Sequence, residues 1–599
     1  MIRLRLAVAV ACVVSVVCLT HVSAQQSVTE TSNKHNLSAG GPGPVTSSQS
    51  EICIFCHTPH NTNPVTPLWS QHLSTATYDP YSSSTMASQQ GLPQGSSKLC
   101  LSCHDGTVAV GDTAGRGQIS MQGLPSGKLT GAPLVGTGLG DDHPISFVPV
   151  TGPAIVSPPA GSPVTLDANG QVQCRSCHDP HQMNADPVTG KFLVMNNSGS
   201  AMCLVCHQQP HWSSNPSTHM TSTKPFTAAQ GAHTGYETVA TNGCGSCHKS
   251  HTATSGTRTL KGVEEATCGN CHGASAVGRN IQAEFAKLYR HPTYSVTPSA
   301  HDAAESPTSA SGMLPEVSIA APRHAECEDC HNPHASYALS ADAPKASGKL
   351  AGVWGIDRLG SLVLPSGTPP SVNEYEICYK CHGDSANIPQ AGGMPSPPYP
   401  QRLVPQFNKR LQFDTTAVSF HPVERDLPGA QPAVSISGVS IKAPWTTTSV
   451  ILCSDCHDND AGPRAPTPGS GPAGVHGSSY KHILAGRYDM DNEYTNESAA
   501  AYALCYKCHD RTRIRSSASW ERHDQHIRDK QTSCSICHDP HGVSSGQGTT
   551  TNNAHLINLD LRFVTASRRT GRLEFQQTSP GRGRCYLTCH GEDHDPYTY

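Results

Sequence analysis

Hydrophobic and polar positions along the chain show little of the regular spacing that long helices or strands require. Helical spacing is confined to short pieces, of which the clearest are residues 280–290 and 497–508. Between such pieces lie stretches rich in Ser, Thr, Gly and Pro, which favour ordered loops or linkers. These stretches are residues 121–170, 360–374, 385–404 and 461–479. The pattern predicts short helices, few strands and extensive irregular backbone.

The longest apolar run lies at the N-terminus, over residues 6–19, behind two arginines and ahead of the small residues that end at Ala24. This arrangement predicts a secretory signal peptide over residues 1–24. A lipoprotein signal is the alternative, because Cys12 and Cys18 lie in the run. No later run reaches the roughly 18–20 apolar residues that a membrane span needs. We therefore expect an exported mature chain without a transmembrane segment.

The composition argues against ordinary globular domains. Hydrophobic residues make up 36% of the chain and aromatic residues 5%, whereas there are 53 glycines and 47 prolines. A chain of this kind buries too little apolar surface to offset its ordering entropy, unless a bound group supplies the core. The net charge is −4. Since no basic stripe is present, nucleic acid is not an expected partner.

Cysteine recurs in pairs that are closed by a histidine. Eleven pairs follow the spacing C-x-x-C-H and a twelfth follows C-x-x-x-C-H, which leaves no cysteine unused after residue 24. The cysteines are Cys53 and Cys56, Cys100 and Cys103, Cys174 and Cys177, Cys203 and Cys206, Cys244 and Cys247, Cys268 and Cys271, Cys327 and Cys330, Cys378 and Cys381, Cys453 and Cys456, Cys505 and Cys508, Cys534 and Cys537, and Cys585 and Cys589. The histidines that follow them are His57, His104, His178, His207, His248, His272, His331, His382, His457, His509, His538 and His590.

This spacing is typical of c-type haem, which two thiols bind covalently while the following imidazole becomes an axial iron ligand. The sequence therefore predicts twelve covalently bound haem c groups, with these histidines as proximal ligands. The longer spacer before Cys589 can bulge and still present both thiols to the ring edge. Structural zinc, a disulfide framework and a thioredoxin-like redox pair are the alternatives, but none of them requires a histidine after every second cysteine.

Histidines outside the motifs are unusually frequent, since 33 of the 34 histidines follow residue 24 and only twelve close a motif. We expect twelve of the others to be distal iron ligands. The candidates are His35, His60, His143, His181, His219, His251, His291, His334, His421, His476, His526 and His541. His211, His301, His324 and His523 compete with them. Hydrogen bonding to haem propionates is the alternative role.

Six motifs carry a second histidine shortly after the proximal one, as His60 follows His57. Three residues span at most about 10 Å, which is a poor reach around a porphyrin rim. Such a histidine should therefore ligate a different haem and hold two haems close together. Other candidate histidines stand directly before a proline, as His143, His291 and His421 do.

Three kinds of segment follow one another in the same order three times. They are a motif with a second histidine close behind it, a motif whose histidine is followed by Gly or Asp and small polar residues, and a His-Pro element. This order indicates internal repetition of a haem-binding unit. We predict three modules: residues 25–235 with haems 1–4, residues 236–440 with haems 5–8, and residues 441–599 with haems 9–12. The predicted fold class is a multihaem cytochrome c, with short α-helices at the motifs, irregular loops and a core of stacked haems.

Several segments together resemble the doubled-CXXCH multihaem cytochromes c that are abundant in metal-reducing bacteria. These are HNLSAGGPGP, CIFCHTPHN, CLSCHDGTVAVGD, DHPISF, RHAECEDCHNPH, EICYKCHGDS, SFHPVE, YALCYKCHDR and CSICHDPHG. The resemblance implies bis-histidine haems, electron transfer and a periplasmic or outer-surface location. Some such proteins form extracellular filaments and others pair with a porin. The terminal C-x-x-x-C-H departs from the pattern.

Three functions follow as hypotheses. The first is an electron conduit, because two imidazoles on each iron leave no open coordination position. Its expected partners are other redox proteins or extracellular acceptors such as metal oxides. The second is a multihaem reductase of a small substrate such as nitrite, which needs an iron with an open distal site. The third is a filament whose subunits conduct end to end.

Overall fold

Short elements and ordered loops dominate the chain, as the sequence predicts. The structure, a computed structural model, describes residues 28–29, 32–60, 68–83, 86–209, 212, 216–226, 235–254, 257–274, 278–293, 325–366, 371–383, 400–424, 436, 438–488, 496–516, 520–579 and 581–598. The predicted signal peptide and the competing histidines His211, His301 and His324 lie outside the described residues. No helix in the described part is long and apolar enough to cross a bilayer.

The described α-helices have between four and ten residues. They are α1 (Gly95–His104), α2 (Cys174–Cys177), α3 (Val239–Asn242), α4 (Glu264–His272), α5 (Gln282–Phe285), α6 (Cys327–Cys330), α7 (Glu374–His382), α8 (Lys409–Phe413), α9 (Cys453–Cys456), α10 (Arg511–Ile514) and α11 (Cys534–Cys537). Single 3₁₀ turns cover Cys53–Phe55, Ser198–Ser200, Cys203–Val205, Gly243–Ser246, Thr257–Thr259, Gly348–Leu350, Gly438–Ser440, Lys481–Ile483, Cys505–Lys507 and Ala554–Leu556. One π-helical turn covers Gln525–Asp529.

The strands are mostly two residues long and pair in antiparallel fashion. They are β1 (Thr46–Ser47), β2 (Asp112–Thr113), β3 (Gly117–Gln118), β4 (Met121–Gln122), β5 (Tyr289–Arg290), β6 (Gly355–Ile356), β7 (Leu362–Val363), β8 (Ser419–Phe420), β9 (Gly477–Ser478), β10 (Gly542–Val543), β11 (Glu574–Ser579), β12 (Arg582–Cys589) and β13 (Glu592–Thr598). The two-stranded pairs are β1 with β4, β2 with β3, β5 with β9, β6 with β7, and β8 with β10. The last three strands form one sheet in the order β11-β12-β13.

The two pieces with helical spacing fold less regularly than the sequence predicts. Within residues 280–290, helix α5 covers four residues and strand β5 follows it directly before His291. The helix expected over residues 497–508 is wrong, because only Cys505–Lys507 is helical there, as a 3₁₀ turn. Arg511 and Arg515 both bind the Glu497 carboxylate, and these contacts fold the segment back on itself. Tertiary contacts thus override a weak helical preference.

The chain divides into two compact units. Unit 1 comprises Met1–Ser213 and Ser222–Val263, and unit 2 comprises Ser214–Thr221 and Glu264–Tyr599. This division does not test the three predicted haem modules, which stay a prediction. The apolar clusters inside the units are small, and several of them include motif cysteines. Cys453 packs against one cluster, Cys505 and Cys534 against a second, and Cys537 against a third. The motifs therefore form part of the core.

Candidate haem sites

The eleven regular motifs each form a single helical turn. Where the helix consists of this turn alone, the backbone N–H of the histidine donates to the carbonyl of the first cysteine. Examples are His57 to Cys53 at 2.8 Å and His178 to Cys174 at 3.0 Å. At three motifs the turn ends a longer helix, α1, α4 or α7. Residues three apart on such a turn share one face. Both thiols therefore point to the same side, as attachment to one porphyrin edge requires. None of the described cysteines is in a disulfide bond.

The proximal rings are held by hydrogen bonds from Nδ1. In seven motifs the partner is a backbone carbonyl at 2.8–3.3 Å: Pro133 for His104, Lys191 for His178, Arg258 for His248, Arg279 for His272, Lys349 for His331, His482 for His457 and His555 for His538. A carbonyl accepts only from a protonated Nδ1, so the bond leaves Nε2 free to bind a metal.

Ten of the proximal rings face a second imidazole, with ring centres 6.0–6.4 Å apart. The pairs are His57 with His181, His104 with His35, His178 with His251, His207 with His143, His272 with His219, His331 with His476, His382 with His291, His457 with His541, His509 with His421, and His538 with His523. Two rings on opposite sides of one metal, with bonds of about 2.0 Å, would have centres about 6.3 Å apart. The spacing therefore fits an iron between the two rings.

Burial keeps three of the paired imidazoles, His143, His476 and His509, neutral. It lowers the pKa of His143 to about 4, of His476 to about 3 and of His509 to about 4, and the facing imidazole lowers each of them further. A neutral ring keeps a lone pair for a metal, whereas a protonated ring has none. These three rings are thus in the form that ligates iron.

The structure brings nine of the twelve candidate distal histidines to the proximal ring of a regular motif. The close histidines His181, His251 and His541 each face the proximal ring of an earlier motif, not that of their own motif. The three histidines of the His-Pro elements face rings of later motifs.

Three candidates are placed differently. His60 is exposed and faces no proximal ring among the described residues. His334 donates its backbone N–H to the Asn332 side chain, at 3.0 Å. His526 lies beside His590, together with His594. At the eleventh motif the ring opposite His538 belongs to His523, which the sequence offered only as a competitor.

Comparison with protein families agrees with this geometry. Residues 167–211 and 237–277 match the family model of the doubled CXXCH motif. The chain is a multihaem c-type cytochrome. Its motifs imply covalently bound haem c and a role in electron transfer. No curated protein matches the chain significantly.

Consecutive motifs of the cytochrome also contact each other. We call each place where a side chain before one motif binds the start of the next motif a junction. In unit 1 a serine three residues before one motif accepts the backbone N–H of the first cysteine of the next motif. Ser97 accepts from Cys174 at 3.0 Å, and Ser200 accepts from Cys244 at 2.8 Å. The Cys100 thiol contacts the Cys174 thiol at the first of these junctions, which raises the pKa of Cys100 well above its ordinary value.

In unit 2 a glutamate four residues before the motif takes the place of the serine. Glu264 accepts from the N–H of Glu328 at 2.7 Å, and Glu374 accepts from both the N–H and the hydroxyl of Ser454, each at 2.8 Å. Burial raises the pKa of Glu264 to about 8, with Glu328 adding to the shift, and burial also raises the pKa of Glu374.

In unit 2, lysines connect the neighbouring motifs that the glutamates do not connect. The Lys380 ammonium of the eighth motif donates to the carbonyl of Asp329 in the seventh, and Lys507 of the tenth donates to the carbonyl of Asp455 in the ninth at 2.6 Å. Lys380 is almost fully buried and lies over the Trp354 ring. Within each unit, consecutive motifs of the cytochrome therefore lie side by side in chain order.

The segments that anchor the proximal rings were missed by sequence reasoning. In four motifs the accepting carbonyl belongs to a basic residue or a histidine, and the aliphatic residue two positions later forms a β-bridge with the proximal histidine. The four segments are Lys191–Leu193, Arg258–Leu260, His482–Leu484 and His555–Ile557. They lie 10 to 25 residues after the histidine that they anchor. This recurring triplet is a sequence signal that could have identified them.

Proposed function

We propose that the cytochrome is an electron conduit in which each regular motif holds one haem whose iron is bound by two histidines. The bound haems would supply the Fe(III)/Fe(II) couple, and the chain would hold them close and set their potentials. A ligand on each side leaves no position for a substrate, so this arrangement favours electron transfer over reduction of a small molecule at one of these irons.

The ten facing imidazole pairs are the observation that carries this proposal. Their ring centres span only 6.0–6.4 Å, although the partner rings come from segments before and after the motifs. Uniform spacing from such different segments is expected if one metal lies between each pair, and packing alone has no reason to produce it. For His248, which has the same Nδ1 anchor, a second imidazole ligand stays a prediction.

The path of the electrons follows the chain within each unit. In unit 1, motif cysteines link motifs 1 to 5 in order: thiol contacts join motifs 2 and 3 and motifs 4 and 5, and the cysteines of motifs 1 and 2 and of motifs 3 and 4 lie near enough to interact electrostatically. In unit 2, the glutamate junctions and the lysine contacts link motifs 6 to 10, and the thiols of Cys505 and Cys534 join motifs 10 and 11. Cross-ligation by the close histidines ties non-consecutive motifs together and would keep the haem spacing fixed during turnover.

The proposal covers the eleven regular motifs, whereas the twelfth haem that the sequence predicts at the terminal motif stays a prediction. We place the protein outside the cytoplasmic membrane, in the periplasm or at the cell surface, because haem c is attached there and because residues 1–24 read as a signal peptide. The corresponding partners are other redox proteins or extracellular electron acceptors. Self-association into a filament and pairing with a porin are the two assemblies that the resemblance implies.

Electron paramagnetic resonance of the oxidised protein tests the ligation. We expect low-spin ferric signals from the paired sites, and no change on addition of nitrite or cyanide. Replacing one distal ligand, as in His476→Ala, should convert one haem to a high-spin ferric state while the rest stay low-spin. His72→Ala is the matched control, because His72 is an exposed histidine that pairs with Asp112. The proposal fails if the wild type shows a substantial high-spin signal that responds to nitrite, or if His476→Ala leaves the spectrum unchanged.

A further inference from the structure

The terminal motif differs from the other eleven in its backbone. It lies on strand β12 and at the turn that follows, and not on a helical turn. Cys585 pairs with Phe575 of β11, and Cys589 pairs with Glu592 of β13. Residues four apart on a strand are separated by about 13 Å, whereas residues three apart on a helical turn have Cβ atoms about 5–6 Å apart. The two thiols of this motif therefore do not present the spacing that the other eleven share.

The histidine of this motif also has different surroundings. His590 lies against two imidazoles, His526 and His594, and the ligating nitrogen atoms of all three lie within 4.8 Å of one another. The ring centre of His590 is 5.5 Å from that of His526 and 5.4 Å from that of His594. Both distances are shorter than the 6.0–6.4 Å of the ten facing pairs. Two rings bound to one ion at a tetrahedral angle would have centres about 5.2 Å apart.

Donor atoms of His590 and His526 are available for a metal. Both ring nitrogens of His590 are buried and have no hydrogen-bond partner among the described residues. This is unlike the proximal rings described above, whose Nδ1 atoms are anchored to carbonyls. His526 donates from Nδ1 to the carbonyl of Arg522 at 2.9 Å, which leaves its Nε2 for coordination.

We propose that His526, His590 and His594 form a three-histidine site for a divalent transition-metal ion, and that this ion takes the place of a twelfth haem. Imidazole ligands suit zinc, copper, iron and nickel. Three protein ligands leave a further position for water or an external ligand, in contrast to an iron with two axial histidines. No thiol or carboxylate in the described part of the chain joins the cluster. The protein would then carry eleven haems and one mononuclear metal centre.

The intact mass of the mature, haem-loaded protein tests the haem count directly. We expect a mass that corresponds to eleven haems. After dialysis against zinc(II) and removal of the excess, elemental analysis should find one zinc per chain. His594→Ala should keep the eleven haems but bind zinc about 100-fold more weakly or worse, since even the loss of an outer-shell partner costs 10- to 100-fold. His72→Ala, which alters an exposed histidine outside the cluster, should bind zinc like the wild type.

A second variant keeps the test decisive if His594→Ala does not fold. Cys585→Ser combined with Cys589→Ser should leave both the haem count and the zinc stoichiometry unchanged. A mass with twelve haems in the wild type, the loss of one haem in the double variant, or the absence of tight zinc binding would each overturn the proposal. None of these results would affect the low-spin signals of the regular motifs. The conduit proposal and the metal-site proposal are therefore tested independently.

Discussion

The two units hold neighbouring motifs together with different side chains. Each must hold one haem motif against the next, and each does so by capturing a backbone N–H at the start of the later motif. Unit 1 uses the hydroxyls of Ser97 and Ser200, whereas unit 2 uses the carboxylates of Glu264 and Glu374. The acceptor lies three residues before the first cysteine in unit 1 and four residues before it in unit 2.

The difference shows what a titratable acceptor adds to a junction. A hydroxyl accepts one bond and donates another, as Ser97 does to the Gln173 side chain at 2.6 Å, so it brings no charge into the interior. A carboxylate accepts two stronger bonds, as Glu374 does from Ser454, but it must lose water to be buried. Beside the haem pairs a carboxylate would also stabilise the ferric state, which lowers the reduction potential. The junctions of unit 2 should therefore be stronger, more sensitive to pH and lower in potential than those of unit 1.

The largest effect is expected for Glu374→Ala. The change leaves the N–H and the hydroxyl of Ser454 without their acceptor, and it removes a carboxyl group near Arg464. Hydrogen bonds to charged groups contribute about 1.5–3 kcal/mol each, so we expect a loss of about 3 kcal/mol or more. Guanidinium unfolding monitored by circular dichroism of the Soret band, which reports on neighbouring haems, measures it.

Glu374→Gln separates charge from geometry at the same junction. The amide oxygen still accepts from the Ser454 N–H, so most of the stability and the Soret signal of Glu374→Ala should be recovered. At a pH above the pKa of Glu374, the neutral variant should also shift part of the voltammetric wave to higher potential. Equal losses in both variants, with no change in potential, would show that the charge has no role and that the two units are equivalent.

An effect that depends on pH is expected for Glu264. Its pKa is raised to about 8 by burial and by neighbouring carboxylates, so the folded state keeps a proton that the unfolded chain releases above pH 4.5. The unfolded state then binds fewer protons, and stability falls as pH rises from about 4.5 to 8, by at most about 1.4 kcal/mol per pH unit. Glu264→Gln should remove this part of the slope. Ser97→Ala in unit 1 is the control that should keep the wild-type slope.

The motif turns, the irregular fold and most of the histidines that face a proximal ring could be predicted from the sequence, because each depends on residues close in the chain or on the number of irons that the motifs imply. The junctions could not be predicted, since Ser97 meets Cys174 across 77 residues and nothing near Ser97 marks it. The choice between His523 and His526 also depends on tertiary structure. The two lie on one short segment, and only the placement of the eleventh motif and the terminal sheet assigns each to its own site.

The smallest effect is expected for Ser97→Ala, where the junction is neutral. The alanine leaves the Cys174 N–H and the Gln173 side chain without one partner, and a neutral hydrogen bond contributes about 1 kcal/mol. The adjacent Ser96 offers a matched control, because its buried hydroxyl has no hydrogen-bond partner among the described residues. Ser96→Ala should therefore leave the guanidinium midpoint unchanged or raise it slightly. If Ser97→Ala were as damaging as Glu374→Ala, the strength of a junction would depend on its packing and not on the charge of its acceptor.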